Sequence, residues 1–185
     1  FASQPSAATC SGFLVAPDLV ATAGHCINPN ESACGPRVWV FDFALDSKGK
    51  GARSVPASSV YRCSEILGRR FAGKSDWAVV KLDRPVVGRA PLTVRWSGKM
   101  AERTPLAIIG HPSGLPVKLA AGARAQANGY REFFSANLDA FGMNSGSAVV
   151  DPRTGLVEGI LVRGDRDYER DPRQGCLRPV RCPLD

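Results

Sequence analysis

Hydrophobic residues fall in short runs along the whole chain, separated by polar and turn-forming residues. The runs are "SGFLVAP", "DLVATAG", "RVWVFDFAL", "DWAVVKL", "PLAIIG", "KLAAGARAQANGY", "EFFSANLD", "GSAVVD" and "LVEGILVRG". Many of their residues are β-branched or aromatic, which is typical of strands. The chain also contains 19 Gly and 14 Pro, which leave little room for long helices. The pattern predicts an all-β fold, either a barrel or a sandwich.

A stretch with several Pro and Gly residues, residues 83–105, divides the chain near its middle. We therefore predict two β halves of similar size, residues 1–95 and residues 96–185, which together form one domain with a cleft between them. No internal sequence repeat relates the two halves.

The composition is that of a folded protein, with 44% hydrophobic and 22% charged residues. The net charge of +7 raises the question of nucleic-acid binding, but the basic residues are dispersed. In the densest tract, residues 163–173, arginines are interleaved with acidic residues, which indicates a solvated surface. We therefore predict no nucleic-acid partner, while the charge leaves acidic protein partners open.

The cysteines indicate an oxidising compartment. They are Cys10, Cys26, Cys34, Cys63, Cys176 and Cys182. Because the chain has no C-x-x-C pair and only two histidines, three disulfides are a better interpretation than zinc ligation, and no metal or other cofactor is predicted. Calcium held by loop carboxylates would leave no such signature. We expect a secreted or periplasmic, that is extracytoplasmic, protein.

Two further features concern the membrane and the start of the chain. No apolar run reaches the roughly 18 residues of a membrane-spanning helix, so no membrane span is predicted. The sequence begins at Phe1 rather than at a methionine, and we expect that a signal or pro-segment has been removed or omitted.

Three polar residues stand at the ends of β-type runs and are candidates for chemistry. Ser145 lies in "FGMNSGSAV", whose Asn and Gly are equally typical of an ordinary turn. A serine becomes a nucleophile only when a base takes its proton and a third group orients that base. His25 in "ATAGHC" suits the base, and Asp76 in "SDWAVVKL" enters a buried strand where an imidazole N–H would satisfy it. A structural histidine and a strand-capping aspartate are the alternatives.

Taken together, "TAGHC", "SDWAVVKL" and "NSGSAV" resemble the chymotrypsin-like serine proteases in residue order and local context, over residues 10 to about 164. The resemblance implies two antiparallel, six-stranded-type β-barrels with the active site in the cleft between them. It also implies that Ser145 attacks the scissile carbonyl, that His25 passes the proton to the leaving amine, and that Asp76 holds the His25 tautomer.

Departures from the animal enzymes make the chain resemble the compact bacterial branch that includes glutamyl endopeptidases. The interval from Asp76 to Ser145 is short, and "NSGS" stands where the animal enzymes have "DSGG". In those enzymes an aspartate before the nucleophile pairs with a newly cut amino terminus, whereas this chain has Asn144. The sequence also begins with Phe1 rather than with the Ile-Val-Gly-Gly of the mature animal enzymes. We therefore expect that activation does not use an inserted amino terminus.

By the same resemblance, the oxyanion hole uses the backbone N–H groups of Ser145 and Met143. The family normally has glycine at the second position, and a positive φ would cost a methionine roughly 1 kcal/mol or more. We therefore expect a hole that is incompletely formed without substrate.

The resemblance also places the specificity pocket. Asp139 in "NLDAFG" would form its floor and favour Arg or Lys, with Val162, Arg163 and Gly164 along its wall. An inward-turned Arg163 would neutralise Asp139 and favour Glu instead. Glutamyl-specific relatives typically have a histidine on this wall, and "GILVRG" has none, so we prefer basic specificity. A turn role for Asp139 is the alternative.

The remaining histidine and cysteines complete the prediction. His111 in "IIGHPSGLPVK" is expected in a turn after a strand rather than as a second base. We predict the disulfides Cys10–Cys26, Cys34–Cys63 and Cys176–Cys182, although four cysteines allow three pairings once the first is fixed.

The predicted function is a secreted serine endopeptidase that cleaves protein or peptide substrates through an acyl-enzyme, after Arg or Lys. The alternatives are glutamyl specificity and a latent or non-catalytic binding protein with the protease fold. A quality-control protease with a peptide-binding module is disfavoured because no residues remain for that module. A pro-segment or an upstream chain is expected to complete the first barrel.

Overall fold

Two five-stranded antiparallel sheets carry most of the regular structure in the computed structural model, which describes residues 3–28, 34–51 and 54–181. The first sheet, in the order β1-β2-β5-β4-β3, consists of β1 Phe13–Ala16, β2 Leu19–Thr22, β3 Val38–Val40, β4 Val60–Ala72 and β5 Ser75–Leu82. The second, in the order β10-β9-β6-β7-β8, consists of β6 Pro105–Gly110, β7 Lys118–Ala127, β8 Ser135–Ala136, β9 Ala148–Val150 and β10 Val157–Ile160.

The remaining elements are small. A two-stranded antiparallel sheet joins β11 Tyr168–Arg170 to β12 Leu177–Pro179. Short 3-10 turns occur at Gly24–Cys26, Ala57–Ser59 and Pro112–Gly114, and the described part of the chain contains no α-helix. None of the helical segments described is long and apolar enough to span a membrane.

The central strand β5 explains why the first sheet forms where it does. Its buried residues, Asp76, Ala78, Val80 and Leu82, alternate with less buried ones, as the two-residue period of a half-buried strand requires. β5 pairs with β2 on one side and with β4 on the other, and Gly73 (φ +61°) supplies the positive φ in the turn between β4 and β5.

Hydrophobic clusters hold each sheet and join the two. One cluster, which includes Val20, Val80 and Leu82, lies within the first sheet, and another, which includes Leu106 and Val149, lies within the second. A third cluster joins the sheets; its buried members are Phe13, Ala21, Ala107, Ala148, Val150 and Val157. Burying each large apolar side chain contributes roughly 1.5–3 kcal/mol, so this shared cluster fixes the two sheets relative to each other.

The β-rich architecture with two antiparallel sheets is the one that the sequence predicts. Each sheet has five strands where the resemblance implies six-stranded-type barrels, and its two outermost strands do not pair with each other. The long connection 83–104 links the sheets, and within it Val94 forms a parallel bridge to Val157 of β10.

Disulfides join Cys10 to Cys26 and Cys34 to Cys63, and both pairings are those predicted from the sequence. The third predicted pair stays a prediction because Cys182 lies outside the described residues; its partner Cys176 is exposed.

Candidate active site

His25 and Asp76 meet where the central strand β5 begins, just after β2 ends. The Nδ1 atom of His25 lies 2.8 Å from Oδ2 of Asp76, and the backbone N–H of His25 donates to Oδ1 at 3.0 Å. Only 2% of the Asp76 side chain is exposed, against 31% of the His25 side chain. Both carboxylate oxygens of a buried acid are therefore satisfied by one partner residue, as the sequence analysis anticipates for an acid that enters a buried strand.

The sequence around His25 fixes its backbone. The chain leaves β2 and turns at once into the 3-10 turn Gly24–Cys26, where Cys26 is held by its disulfide to Cys10. A Cβ at Gly24 would lie 2.2 Å from the carbonyl oxygen of Arg70, so only glycine fits there. The Arg69 Nε donates to the Gly24 carbonyl at 2.8 Å.

This geometry has a consequence for the protonation of the ring. Because an ionised carboxylate only accepts hydrogen bonds, the short contact to Asp76 places a proton on Nδ1 of His25. The other nitrogen, Nε2, is then an acceptor on the exposed side of the ring. A histidine held in this way can take a proton from a hydroxyl.

Ser145 is half-buried in a tight turn that approaches the first sheet. Its carbonyl accepts a hydrogen bond from the Ser11 N–H at 2.7 Å, and the Cys26 Sγ lies 3.6 Å from the same oxygen. The next residue, Gly146, has φ +92°, and a Cβ there would lie 2.0 Å from the Ser11 carbonyl oxygen. Glycine at 146 therefore lets the serine turn approach the His25 side of the molecule.

The turn brings the Ser145 backbone next to Cys26, the residue after His25, but the Ser145 hydroxyl does not contact the His25 ring through a hydrogen bond. Among the described residues, no hydrogen bond joins the Ser145 hydroxyl to the His25 ring. Catalytic hydrogen bonds are often long without substrate and tighten when it binds.

Two backbone N–H groups near Ser145 are also unengaged. Neither the Met143 N–H nor the Ser145 N–H donates to another residue in the described ranges. Met143 has φ +69°, the left-handed conformation that the sequence analysis treats as costly for this side chain. Unpaired backbone N–H donors are what an oxyanion requires.

Asn144, between these two residues, is buried. Its Oδ1 accepts from the Ser147 hydroxyl at 3.2 Å, and its carbonyl accepts from the Ser147 N–H at 2.9 Å. The side chain that replaces the aspartate of the animal enzymes is thus satisfied inside its own turn.

A family model described as a trypsin-like peptidase domain matches residues 10–160. The chain belongs to this family. It is accordingly a serine endopeptidase, and a peptide is its substrate. A search of curated protein sequences found no significant match.

Solved structures of proteases share the fold of this peptidase. A Glu endopeptidase in complex with MPD is 21% identical, with a TM-score of 0.59, over 91% of this chain and 76% of the other. The thermostable serine protease AL20 from an extremophilic microorganism is 17% identical, with a TM-score of 0.61, over 85% and 79% of the two chains. A serine endoprotease from Yersinia pestis is 17% identical, with a TM-score of 0.58, over 83% and 47%.

The residues predicted for the specificity pocket line a cavity of about 1430 Å³ in the peptidase. They are Asp139, Val162, Arg163 and Gly164, and Asp76 of the first sheet also lines it. Asp139 and Arg163 are both exposed, and among the described residues no ion pair joins them. The inward-turned Arg163 that would neutralise Asp139 is thus not the arrangement in the structure.

The His111 ring has its own partners, and none of them is His25. Its ring stacks on Phe43 at 5.6 Å between centroids, and its Nδ1 lies 2.9 Å from the Leu115 carbonyl oxygen. Burial lowers the pKa of His111 below its ordinary value of 6.5, and the positive charge of Lys118 lowers it further, although the contact with Leu115 opposes this. It lies at the turn after β6, as the sequence predicts.

One His and Cys cluster in the described ranges has the spacing of a metal site: Cys10, His25 and Cys26. The two sulfurs are joined as a disulfide, so neither is a thiolate that could ligate a metal.

Sequence reasoning missed the residues that support the serine turn. Ser11 is buried, and its hydroxyl donates to the Met143 carbonyl at 3.2 Å and accepts from the His111 N–H at 3.0 Å. Asp167, interpreted from the sequence as surface charge, accepts the Gly142 N–H at 2.6 Å. The position of Ser11 directly after Cys10 is the only sequence signal for its role, and Asp167 has none.

Proposed function

We propose that Ser145, His25 and Asp76 form a catalytic triad for peptide hydrolysis. The observation that carries the proposal is the 2.8 Å contact between His25 Nδ1 and Asp76 Oδ2, on a turn that adjoins the Ser145 backbone. In this proposal residues 1–95 supply the base and its orienting acid, and residues 96–185 supply the nucleophile and the specificity pocket.

The chemistry follows from the protonation state of the ring. His25 Nε2 accepts the Ser145 proton as Oγ attacks the scissile carbonyl carbon, and the carbonyl π electrons move onto the oxygen. The N–H groups of Met143 and Ser145 stabilise that oxyanion. The oxygen then reforms the double bond, the C–N bond breaks, and His25 gives its proton to the leaving amine. Water, deprotonated by the same ring, releases the acyl group and restores Ser145.

We propose that the enzyme cleaves after Arg or Lys. Asp139 is the candidate partner for the substrate cation, and among the described residues it has no ion pair or hydrogen bond of its own. A bound substrate would cover this exposed carboxylate and would then favour a cationic side chain, because a covered carboxylate left without a partner costs several kcal/mol.

Glutamyl specificity is the second candidate, and the basic lining of the cavity favours it. Besides Arg163, the cavity is lined by the basic residues Lys74, Arg95, Lys99, Arg131, Arg166 and Arg181. Arg95 is already paired, because its guanidinium donates two hydrogen bonds of 2.6 and 2.8 Å to the Glu158 carboxylate. If Arg163 turned toward Asp139 when substrate binds, a glutamate side chain would be the better ligand.

A panel of chromogenic peptides with Arg, Lys, Glu or Leu before the scissile bond separates these possibilities. We expect cleavage after Arg and Lys, its loss in S145A, and a drop of about 10²-fold in kcat/KM on the Arg substrate in D139N. D165N serves as the matched control because it removes an exposed acid from the same cavity lining. Cleavage after Glu that is lost in R163A would transfer the specificity to Arg163, and inactivity of the wild-type enzyme on all four peptides would contradict the proposal.

Localisation and activation belong to the same proposal. The two disulfides support a secreted or periplasmic enzyme. The neutral, internally bonded Asn144 supports activation without an inserted amino terminus, and N144D should not create terminus-dependent activity.

A pro-segment or upstream chain would pack in the largely apolar cavity of about 610 Å³ beside the first sheet, which Trp39, Phe41 and Phe43 help to line.

A further inference from the structure

The two peptide groups that flank the Gly142 Cα atom, Phe141–Gly142 and Gly142–Met143, are each held by a segment that is distant in sequence. The Gly142 N–H donates to Oδ2 of Asp167 at 2.6 Å, and the Gly142 carbonyl accepts from the Ser113 N–H at 2.7 Å. Gly142 itself is exposed, so these two bonds, rather than burial, fix its orientation.

The direction of the Met143 N–H follows from this clamp. In a trans peptide the C=O and the following N–H point in opposite directions. No cis peptide occurs in the described part of the chain, and Ser113 fixes the Gly142 carbonyl. The Met143 N–H is therefore turned away from Ser113, and it has no partner among the described residues.

Met143 would not keep this conformation by itself. Its φ of +69° is unfavourable for a residue with a side chain, and the residue is 46% exposed, so packing adds little to hold it. Strained residues of this kind persist only where the surroundings over-determine them. The surroundings here are the clamp on Gly142 and the hydrogen bond from the Ser11 hydroxyl to the Met143 carbonyl.

The two halves of the clamp are tied to each other. The Ser113 hydroxyl and the Tyr168 hydroxyl are 2.6 Å apart, and Tyr168 follows Asp167 directly in the chain. The Tyr168 ring lies 5.4 Å from the Phe141 ring, and the Asp167 carbonyl accepts from the Val180 N–H at 2.8 Å. The Asp167 carboxylate is thus presented to Gly142 from a braced segment.

We propose that Asp167 is a positioning residue for the oxyanion hole. Its carboxylate holds the Phe141–Gly142 peptide while Ser113 holds the Gly142–Met143 peptide, and together they fix Gly142 so that the Met143 N–H faces the developing oxyanion. The inference rests on the proposed function of Ser145 and Met143. The sequence analysis expects an oxyanion hole that is incompletely formed without substrate. In this proposal the clamp forms the hole before substrate binds.

The first test compares D167A, D167N and E102A as full-length enzymes. Loss of the clamp releases a strained conformation, for which we expect D167A to lower kcat by about five- to thirtyfold with little change in KM. D167N keeps an oxygen that can accept the Gly142 N–H and should recover most of the loss. E102A also removes one carboxylate, from an exposed residue that lies outside the substrate cavity and has no side-chain partner in the described chain, and its kcat should match that of the wild type.

A peptide boronate supplies a readout independent of turnover. Boron bonds to the Ser145 Oγ and one of its oxygens takes the place of the oxyanion, whereas a peptide amide with the same sequence places no negatively charged oxygen there. D167A should weaken boronate binding by about the factor lost in kcat and leave amide binding unchanged. Equal weakening of both ligands would mean that Asp167 shapes the cleft, and would overturn the proposal.

A double-mutant cycle tests the link to Met143. Glycine adopts a positive φ at no steric cost, so it does not need the clamp. The loss in kcat caused by D167A should therefore shrink to about twofold or less in an M143G background. The difference between the losses in the two backgrounds would then exceed the scatter expected for independent sites. An equal loss in both backgrounds, wild-type kcat in D167A, or an equal loss in E102A would each overturn the proposal. A wild-type enzyme that cleaves no peptide would instead contradict the proposed function.

Discussion

Replacing Asp76 by asparagine should disable the peptidase by reversing the His25 tautomer. The buried carboxylate accepts two hydrogen bonds, from the His25 backbone N–H at 3.0 Å and from Nδ1 at 2.8 Å. Asparagine has one acceptor oxygen and one NH₂ donor, so it can satisfy only one of these donors. The backbone N–H cannot change its character, whereas the ring can move its proton from Nδ1 to Nε2.

The magnitude follows from what the new tautomer removes. With the proton on Nε2, His25 cannot accept the Ser145 proton, and the contribution of the general base is lost. Such contributions are about 10²–10⁴ in rate, so kcat of D76N should fall by that factor. KM should change little, because the carboxylate is only 2% exposed and offers the substrate almost no contact surface.

The assay pairs peptide hydrolysis at pH 8 with ¹⁵N NMR of the imidazole. The wild-type ring should carry its proton on Nδ1 and the D76N ring on Nε2. D83N is the matched control, because Asp83 follows β5 directly, is 36% exposed, and pairs with Arg84 rather than with the site. A D76N enzyme with near wild-type kcat, or one that is inactive while Nδ1 stays protonated, would refute the reasoning.

Three other substitutions test the packing and the electrostatics. G146A should lower the free energy of unfolding by at least about 2 kcal/mol in urea titrations, because φ is +92° and the new Cβ would lie 2.0 Å from the Ser11 carbonyl oxygen; an unchanged midpoint would show that the turn can relax. Burial lowers the pKa of His111 below 6.5, so the folded protein resists protonation there, and its stability relative to H111Q should fall as the pH drops below about 6.5; a Tm difference that stays constant between pH 7 and 5 would contradict this. Hydrogen bonds from Arg153 lower the pKa of Asp151 below 3.8. The stabilisation that the Asp151 carboxylate gives the folded protein is therefore complete above that pH and is lost as the pH falls through the folded-state pKa. The unfolding free energies of wild type and D151N should converge below about pH 4 and stay apart at pH 6.

The strands that the sequence predicts well are those whose pattern is decided locally. In β5 the alternation of buried and exposed residues is complete, and β6 and β9 are short apolar runs. The predicted run "EFFSANLD" contains only the two-residue strand β8. Its side chains Phe134 and Leu138 pack against the second core, so their apolar character reports burial rather than strand pairing.

The longest strand, β4, is absent from the hydrophobic runs. Most of its residues are partly or fully exposed, and they include Arg62, Glu65, Arg69 and Arg70. It forms because it pairs along its length with β5, a tertiary interaction that local composition does not encode. The hairpin β11–β12 escaped detection for the same reason, within a tract interpreted as solvated charge.

The candidate site likewise contains residues that the local sequence predicts and residues that only tertiary contacts bring to it. His25, Asp76 and Ser145 lie in distinctive local contexts, and their order along the chain carries the family resemblance. The supports of Met143 do not: Ser11 reaches the Met143 carbonyl from 132 residues earlier in the chain, and Asp167 reaches the neighbouring Gly142 from the segment after β10. A serine and an aspartate in loops have many possible roles, and only the folded chain selects one.

The most direct test of the central claim is the site of reaction with a fluorophosphonate, measured by mass spectrometry of the intact and digested protein. The account predicts one adduct per chain, on Ser145, with none in S145A and a strongly slowed reaction in H25A, whose overall fold is checked by circular dichroism. Modification at another serine, or labelling of Ser145 at the same rate when His25 is removed, would contradict the assignment of the nucleophile and its base.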